Sequence, residues 1–293
     1  MSNSLALTPI LPATPLAGEV DTILLASDLS VAAEQAFTHA ALLAKAFGAH
    51  LTLYHVVETG PTPPAVRRSQ EDLALRRAET AARRRLTAAA VAIRSPHAVA
   101  IERAVAAAEG VVKRIESTAP DLTVLATHGH HGVAELSLGG VAEAVVRQVG
   151  RPVLWVPSSA TGAAYGYRRI LVPTSLTLSS RRAFPLAARV AAIWQAEVLA
   201  MHVVAPPMPR STVCCLPSEG AVRRFFEPEF AGQSLSARVA IGVPAYQVIQ
   251  SARSEAVDLI VLSRPSPRGF AEAGIGSDYE RIVRQAPCAV MVV

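Results

Sequence analysis

Ile23-Leu24-Leu25-Ala26-Ser27-Asp28 and Ile170-Leu171-Val172-Pro173-Thr174-Ser175 are two versions of one phrase, set 147 residues apart. His55-Val56-Val57 returns at the same offset as His202-Val203-Val204. Asp121-Leu122-Thr123-Val124-Leu125 returns as Asp258-Leu259-Ile260-Val261-Leu262, and Val146-Arg147-Gln148 as Val283-Arg284-Gln285, now 137 residues apart. Repetition over this length means two copies of one folding unit. The second copy is therefore ten residues shorter between its second and third strands. Each candidate residue can be checked against its twin. A residue kept in both copies serves the fold, and one that differs marks where the halves part in function.

Outward from Ile23, the run Thr22–Ala26 is short and apolar, which suits a strand buried on both faces. Ser30 is placed to cap a following helix that carries Glu34 in its first turn and ends at Gly48. A second apolar run, Leu51–Val57, comes next, then a long Arg/Ala helix to about Ile93. A third strand follows near Ala98–Arg103, then a helix over about Ala106–Ser117. Strand four is Leu122–Ala126, a helix covers about Val141–Val149, and Val153–Val156 is strand five. The second copy repeats the order through Ile170–Pro173, a helix from about Ser179, Val198–Val204, Ser236–Ile241, Leu259–Leu262 and Ala289–Val292. Prolines 206, 207, 209, 217 and 228 interrupt its second helix. Apolar strands alternating with amphipathic helices specify right-handed crossovers and a doubly wound parallel α/β sheet. The expected domains are 20–157 and 168–293, joined by a Ser/Gly/Ala-rich linker at Ser158–Tyr167.

Composition bounds the function. Of 293 residues, 51% are hydrophobic and 17% charged, enough for a sizeable core in each half. Three cysteines make no disulfide framework and point to a reducing, cytoplasmic setting. Cys214 and Cys215 read as unrelated loop cysteines in a proline-flanked segment. The apolar, proline-containing start, Met1–Gly18, lacks a basic region and reads as a flexible lead-in rather than a signal peptide. No apolar run reaches the roughly 20 residues of a membrane span. The net charge of +5 falls wholly beyond Ala160, where 14 Lys and Arg face 9 Asp and Glu. Arg67, Arg68, Arg76, Arg77, Arg83, Arg84 and Arg85 are interleaved with Glu71, Asp72 and Glu79 and lack aromatic companions. They read as a solvated helix face, not a nucleic-acid surface.

Ligands of open parallel sheets bind beyond the carboxyl ends of the strands, where strand order reverses. Two loops qualify. One follows strand one and presents Asp28, a carboxylate suited to a ribose hydroxyl or a metal-bound water. The other follows strand four and reads Ala126-Thr127-His128-Gly129-His130-His131-Gly132, continuing to Gly139-Gly140 at a helix start. Glycines admit close backbone approach, and a helix N-terminus offers N–H groups to phosphate.

These loops and the segment Asp121–Pro157 resemble the universal stress protein family, over about Asp21–Pro157 and Arg168–Val293. The resemblance implies two tandem five-stranded sheets of the adenine nucleotide alpha hydrolase-like kind, paired through strand five as an intrachain pseudo-dimer. In ATP-binding members the strand-four loop carries Gly, two residues, Gly, nine residues, Gly, then Ser or Thr. Here those positions are Ala126, Gly129, Gly139 and Gly140. Asp28 stands at the strand-one site, with Ala26 where the family usually has proline. Val56 and Leu125 fall where residues flanking adenine would lie, and Val141 at the next loop contact. The implied cofactor is ATP, with Mg²⁺ accompanying it. The second copy offers Ser263, Ser266, Gly276 and Ser277, and Ser175 replaces Asp28. Pro265 and Pro267 remove N–H donors that phosphate would use. That half reads as a degenerate site, available for a protein partner.

Blander readings stand beside these. Asp28 could be a loop stabiliser, and Gly129 and Gly139 turn residues. His128, His130 and His131 have no ligand partner at a recognisable spacing, so no metal site is assigned. His55 and His202 are twins and read as structural. No Ser/His/Asp order, paired carboxylates or P-loop lysine is present, so any ATP hydrolysis is expected to be slow. Two functions follow: stress-related nucleotide binding in the first half, or a nucleotide-independent dimerisation and interaction module. A third, an adenylyl-handling enzyme on a related fold, is set aside because the sequence has no His-x-Gly-His signature or second catalytic cluster. Assembly into a further homodimer is left open.

Overall fold

The structure, a computed structural model, describes residues 19–61, 69–91, 93, 96–127, 139–160, 166–204, 216–264 and 278–293. The first half runs β1 (Thr22–Ala26), α1 (Ala33–Phe47), β2 (His50–Glu58), α2 (Ser69–Ala90), β3 (His97–Ala104), α3 (Ala107–Thr118), β4 (Leu122–Ala126), α4 (Gly140–Gln148) and β5 (Val153–Val156). The second runs β6 (Arg169–Thr174), a 3-10 segment (Leu178–Ala183), α5 (Phe184–Trp194), β7 (Glu197–Val204), α6 (Glu219–Phe226), β8 (Leu235–Ile241), α7 (Pro244–Ser254), β9 (Leu259–Leu262), α8 (Asp278–Gln285) and β10 (Ala289–Val292).

The ten strands form one sheet in the order β3-β2-β1-β4-β5-β10-β9-β6-β7-β8. Pairing within each half is parallel. The halves meet by antiparallel pairing of β5 and β10, with Trp155 opposite Val290. The predicted doubly wound fold and strand-five pseudo-dimer are both present. Alternate side chains along each strand feed the two faces. Ile23, Leu25, Leu53 and Val124 join one core with residues of α1, α2 and α5, and Leu24, Tyr54, Leu125 and Trp155 join the other with residues of α3, α4, α7 and α8. Both cores run across the seam, so neither half buries its apolar surface independently of the other.

Twin residues show which features belong to the fold. Asp121 accepts the backbone N–H groups of Asp21 and Thr22 at 3.1 and 2.9 Å. Asp258 does the same for Arg168 and Arg169 at 2.7 and 3.2 Å. Leu29 and Leu176 adopt left-handed φ values of 63° and 59°, and Ala119 and Ala256 of 48° and 51°. Such a backbone costs a non-glycine residue about 1–2 kcal/mol, yet it recurs at equivalent places, so the chain path and not the side chain demands it.

Three local expectations change. Ser30 does accept the Ala33 N–H, at 3.2 Å, but from two positions before the N-cap, Ala32, which makes no side-chain cap. The helix expected from Ser179 opens as a 3-10 turn and becomes α-helical only at Phe184, where Pro185 occupies the first turn. Tyr167, read as the end of the linker, is wholly buried. Its ring packs edge-on against Trp194 at 5.2 Å between centroids. The preceding Gly166 has φ +93°, and a Cβ there would stand 2.2 Å from the Trp194 ring. Gly166→Ala is therefore expected to lower stability by about 2–4 kcal/mol through combined backbone strain and overpacking. Urea unfolding with an unchanged slope would show it.

Candidate functional site

The strand order reverses between β1 and β4 in the first half and between β6 and β9 in the second. The carboxyl ends of those strands mark each crevice, and in the first half Asp28 and the start of α4 at Gly139-Gly140 follow β1 and β4 there.

In the first half, the loop after β1 is held from inside and outside. The Leu29 N–H donates to Ser27 Oγ at 3.1 Å, and the Ser30 N–H to Asp28 Oδ1 at 3.0 Å. From β2, His55 Nδ1 lies 2.8 Å from the Ser27 carbonyl. A carbonyl only accepts, so this ring nitrogen carries the proton. From α2, Arg85 donates to the Leu29 carbonyl at 2.7 Å. Asp28 stays exposed between these braces, with one oxygen committed to the Ser30 N–H. The His55 brace has a twin, since His202 Nδ1 lies 2.8 Å from the Thr174 carbonyl. Both histidines thus serve the fold, as their repetition implies.

Beside Asp28, β4 ends at Ala126 and α4 begins at Gly140. The Gly139 N–H donates to the Thr127 carbonyl at 3.2 Å, bringing the α4 N-terminus back over the strand end. No side chain caps α4. Gly139 has φ −61°, open to any residue. A Cβ at Gly139 would meet only the Thr127 carbonyl oxygen, at 3.7 Å, and one at Gly140 would meet nothing within 4 Å. Neither the φ of Gly139 nor the described neighbours of either position demand glycine there. The first turn of an α-helix leaves N–H groups without intrahelical partners, and no side chain of the described residues caps them here.

The remaining sequence candidates are placed as follows. Ala26, Val56 and Leu125 belong to one core face, and Val56 and Leu125 are 7% and 3% exposed. Val56 lies under α3, where a Cβ at Gly110 would approach Val56 Cγ2 to 2.9 Å. A polar lock holds α3 there. The buried Tyr54 hydroxyl lies 3.0 Å from Glu102 Oε2 and 3.2 Å from the Gly110 carbonyl, while Arg114 reaches Glu102 at 2.9 Å and stands over the Tyr54 ring. Burial, then the bond to Glu102, pushes the Tyr54 hydroxyl far above its usual ionisation range, so it remains a donor. Ala126 is half-buried and Val141 packs at the edge of the same core as Leu125. Gly129, His128, His130 and His131 lie outside the described residues, as do Cys214, Cys215, Ser266, Gly276 and Ser277. Among the described residues no group of His, Cys, Asp or Glu is arranged to hold a metal. No described helix is long and apolar enough to cross a membrane. On α2, Asp72 pairs with Arg76 and Arg103, and Glu79 with Arg103, in keeping with a solvated helix face.

The second crevice is built differently. Ser263, the twin of Ala126, donates to the Ser180 carbonyl at 2.6 Å and accepts the Ala183 N–H at 3.1 Å. Ser180 donates to the Thr177 carbonyl at 2.7 Å, so Thr174, 2.8 Å away, donates to it. Ser175, Thr177 and Ser179 link their hydroxyls at 2.9 Å. These bonds tie the end of β6, the 3-10 segment and the end of β9 into one piece. Sequence reading identified Ser175 and Ser263 only as losses; what they gained depends on Ser180, 83 residues before Ser263.

These features define a class: a duplicated, doubly wound α/β protein with one switch-point crevice open at a helix N-terminus and the other cross-linked by hydroxyls. The sequence profile of the Universal stress protein family matches residues 19–157 and again 166–293, and the chain belongs to that family. A universal stress protein of Methanocaldococcus jannaschii, MJ0531, is 29% identical over 143 residues, which are 43% of this chain and 82% of the relative. A universal stress protein from Archaeoglobus fulgidus DSM 4304 superposes with a TM-score of 0.71 at 16% identity, over 92% of this chain and 97% of that one. The functionally unknown protein PA1789 from Pseudomonas aeruginosa PAO1 gives 0.68 at 15% identity, over 94% and 92%. At these identities the structures speak for the fold, two-domain arrangement included.

Replacing Ser263 by alanine removes both its bonds and leaves the Ala183 N–H and the Ser180 carbonyl without that partner. A loss of about 1–3 kcal/mol is expected. The midpoint of urea unfolding, compared between Ser263→Ala and the parent protein, measures it.

Proposed function

We propose that the first half binds an adenine nucleotide at the β1/β4 crevice and that a regulatory or sensing role follows from the bound state. The observation carrying this reading is the α4 N-terminus. Two glycines stand there, Gly139 at φ −61° and Gly140 with room for a Cβ among the described residues, and no side chain of the described residues caps the helix. Phosphate suits such a place because the N–H groups and the helix dipole both favour an anion. Gly140 and Val141 supply backbone donors, while Gly139, whose N–H is held by the Thr127 carbonyl, and Gly129 on the same loop admit close approach of the phosphates. Asp28, exposed at the carboxyl end of β1, takes the ribose hydroxyls. Ala26, Val56, Leu125 and Ala126 form the apolar floor, Val56 and Leu125 through their exposed edges only. With ATP, Mg²⁺ accompanies the phosphates and neutralises part of their charge; none of the chain's described side chains is assigned to it. Gly140 lacks the hydroxyl of ATP-binding members, a loss of about 1 kcal/mol of phosphate contact. No general base is assigned, so turnover is slow at most.

The second half, in this reading, is a partner surface. Its β8–α7 corner exposes Ile241, Val243 and Tyr246, whereas their twins are Ala104, Ala106 and Glu109. The competing reading, a nucleotide-independent interaction module throughout, draws on the same corner and on the hydroxyl-tied crevice. The two domains proposed are 20–157 for nucleotide and 168–293 for partners, in a cytoplasmic protein.

Titration calorimetry with ATP separates these readings. Binding is expected in the parent chain, lost by tenfold or more in Asp28→Ala, and nearly unchanged in Ser175→Ala. Gly140→Val is the sharper variant. It should change the unfolding free energy from urea denaturation by no more than about 0.5 kcal/mol, as the added Cβ meets nothing within 4 Å among the described residues, yet weaken ATP at least tenfold. No heat and no retained nucleotide up to millimolar ATP would leave the interaction module standing.

A further inference from the structure

His39, on α1, is 1% exposed, and its Nδ1 lies 2.7 Å from the hydroxyl of Tyr167, which is wholly buried. The two residues come from opposite halves, 128 positions apart. The contact is therefore part of the joint between the domains. His39 Nε2 is buried without a hydrogen-bond partner. Around the pair, Tyr167 leans on Trp194 at the end of α5, and Arg189 of α5 stands over the Phe47 ring of α1, 5.3 Å from its centre.

The internal repeat supplies a control that most proteins lack. The twins of His39 and Tyr167 are Leu186 and Val20, both buried in the same core. On one side of the pseudo-twofold axis the helix and the strand entrance of opposite halves thus carry apolar residues alone. The fold does not need a titratable ring at this joint. One copy nevertheless carries a histidine whose second nitrogen pays for its burial with no bond in return.

We propose that the His39–Tyr167 contact is an acid-sensitive latch between the two halves, loosened when His39 takes up a proton. The imidazolium would hold two N–H donors in a site that offers one oxygen, inside a continuous apolar core. Burial already lowers the His39 pKa to about 4. In an opened joint the ring returns to water and to its ordinary value near 6.5. The sign follows: the open form binds the proton more readily, so the closed form loses ground as pH falls from about 6.5 and ceases to lose it near 4. Between pH 7 and 5 the opening equilibrium should rise by about twenty-fold.

The surrounding groups decide how the test is built. Tyr167 is held protonated by its burial and by the nearby Asp258 and Cys288. Cys288 is itself raised, by burial and then by Asp258. Burial also raises Asp258, which works in the opposite direction, favouring the closed form as pH falls. α1 also packs on β1, β2, β4 and β5. Of these, β1, β4 and β5 read TILLA, LTVLA and VLWV and bring no titratable side chain. β2 brings His55 on the α1 side, held at the Ser27 carbonyl, while its Tyr54 lies in the opposite core. The His39 contribution must accordingly be taken as a difference between variants.

Hydrogen exchange of the β5 and β10 amides, corrected for intrinsic rates, reports opening of the joint. In the parent protein their protection should fall between pH 7 and 5 by about twenty-fold more than in His39→Leu/Tyr167→Phe, which copies the apolar twin while keeping the ring on Trp194. His39→Gln keeps a hydrogen-bonding group and cannot titrate, and should match the double variant; it serves if the double variant fails to fold. Equal pH dependence in the parent and in either folded variant would overturn the latch.

Discussion

The antiparallel pairing of β5 with β10 is the contact on which the rest of this molecule depends. Every other strand pair is parallel and lies within one half. This one pairing, with Trp155 opposite Val290, makes two five-stranded sheets into one. It carries both hydrophobic cores across the domain boundary. It also turns the carboxyl ends of the two half-sheets in opposite directions, so the two crevices face away from each other. Duplication has thereby produced a pseudo-dimer in which each crevice was free to change without disturbing its twin.

The change took the form of exchanged hydrogen-bonding chemistry. The first crevice keeps a carboxylate whose loop is braced by His55 and Arg85, beside a helix that starts at Gly139-Gly140. The second keeps the brace, through His202, and fills the strand ends with the hydroxyls of Thr174, Ser175, Thr177, Ser180 and Ser263. Backbone conformation hardly moved: Leu29 and Leu176 share the same left-handed turn. The fold was held constant while the strand ends of one crevice became tied together by hydroxyl hydrogen bonds.

How much of this is legible in the sequence depends on the range of the forces involved. Buried parallel strands are written as continuous apolar runs, so Ile23–Ala26 and its twins give the sheet directly. Gly48 marks the end of α1 because a left-handed cap, φ 69°, suits glycine, although its twin Gln195 reaches the same conformation at 51°. The positions of Asp28 just after β1 and of Gly139 and Gly140 at the start of α4 were legible because they depend on local sequence. Tyr167 was not, because a Gly/Ala/Ser neighbourhood reads as linker and its partner His39 is 128 residues away. The role of Ser263 was hidden for the same reason, and the 3-10 opening of α5 left no signal in Leu178–Ala183.

The central claim is that one crevice of the pair accepts nucleotide and the other does not. Backbone amide chemical shifts followed during an ATP titration test it most directly. Perturbation should concentrate in residues 27–30 and 139–142 and spare residues 174–180 and 263–264. Shifts in the second set, or saturating ATP that moves neither, would contradict it.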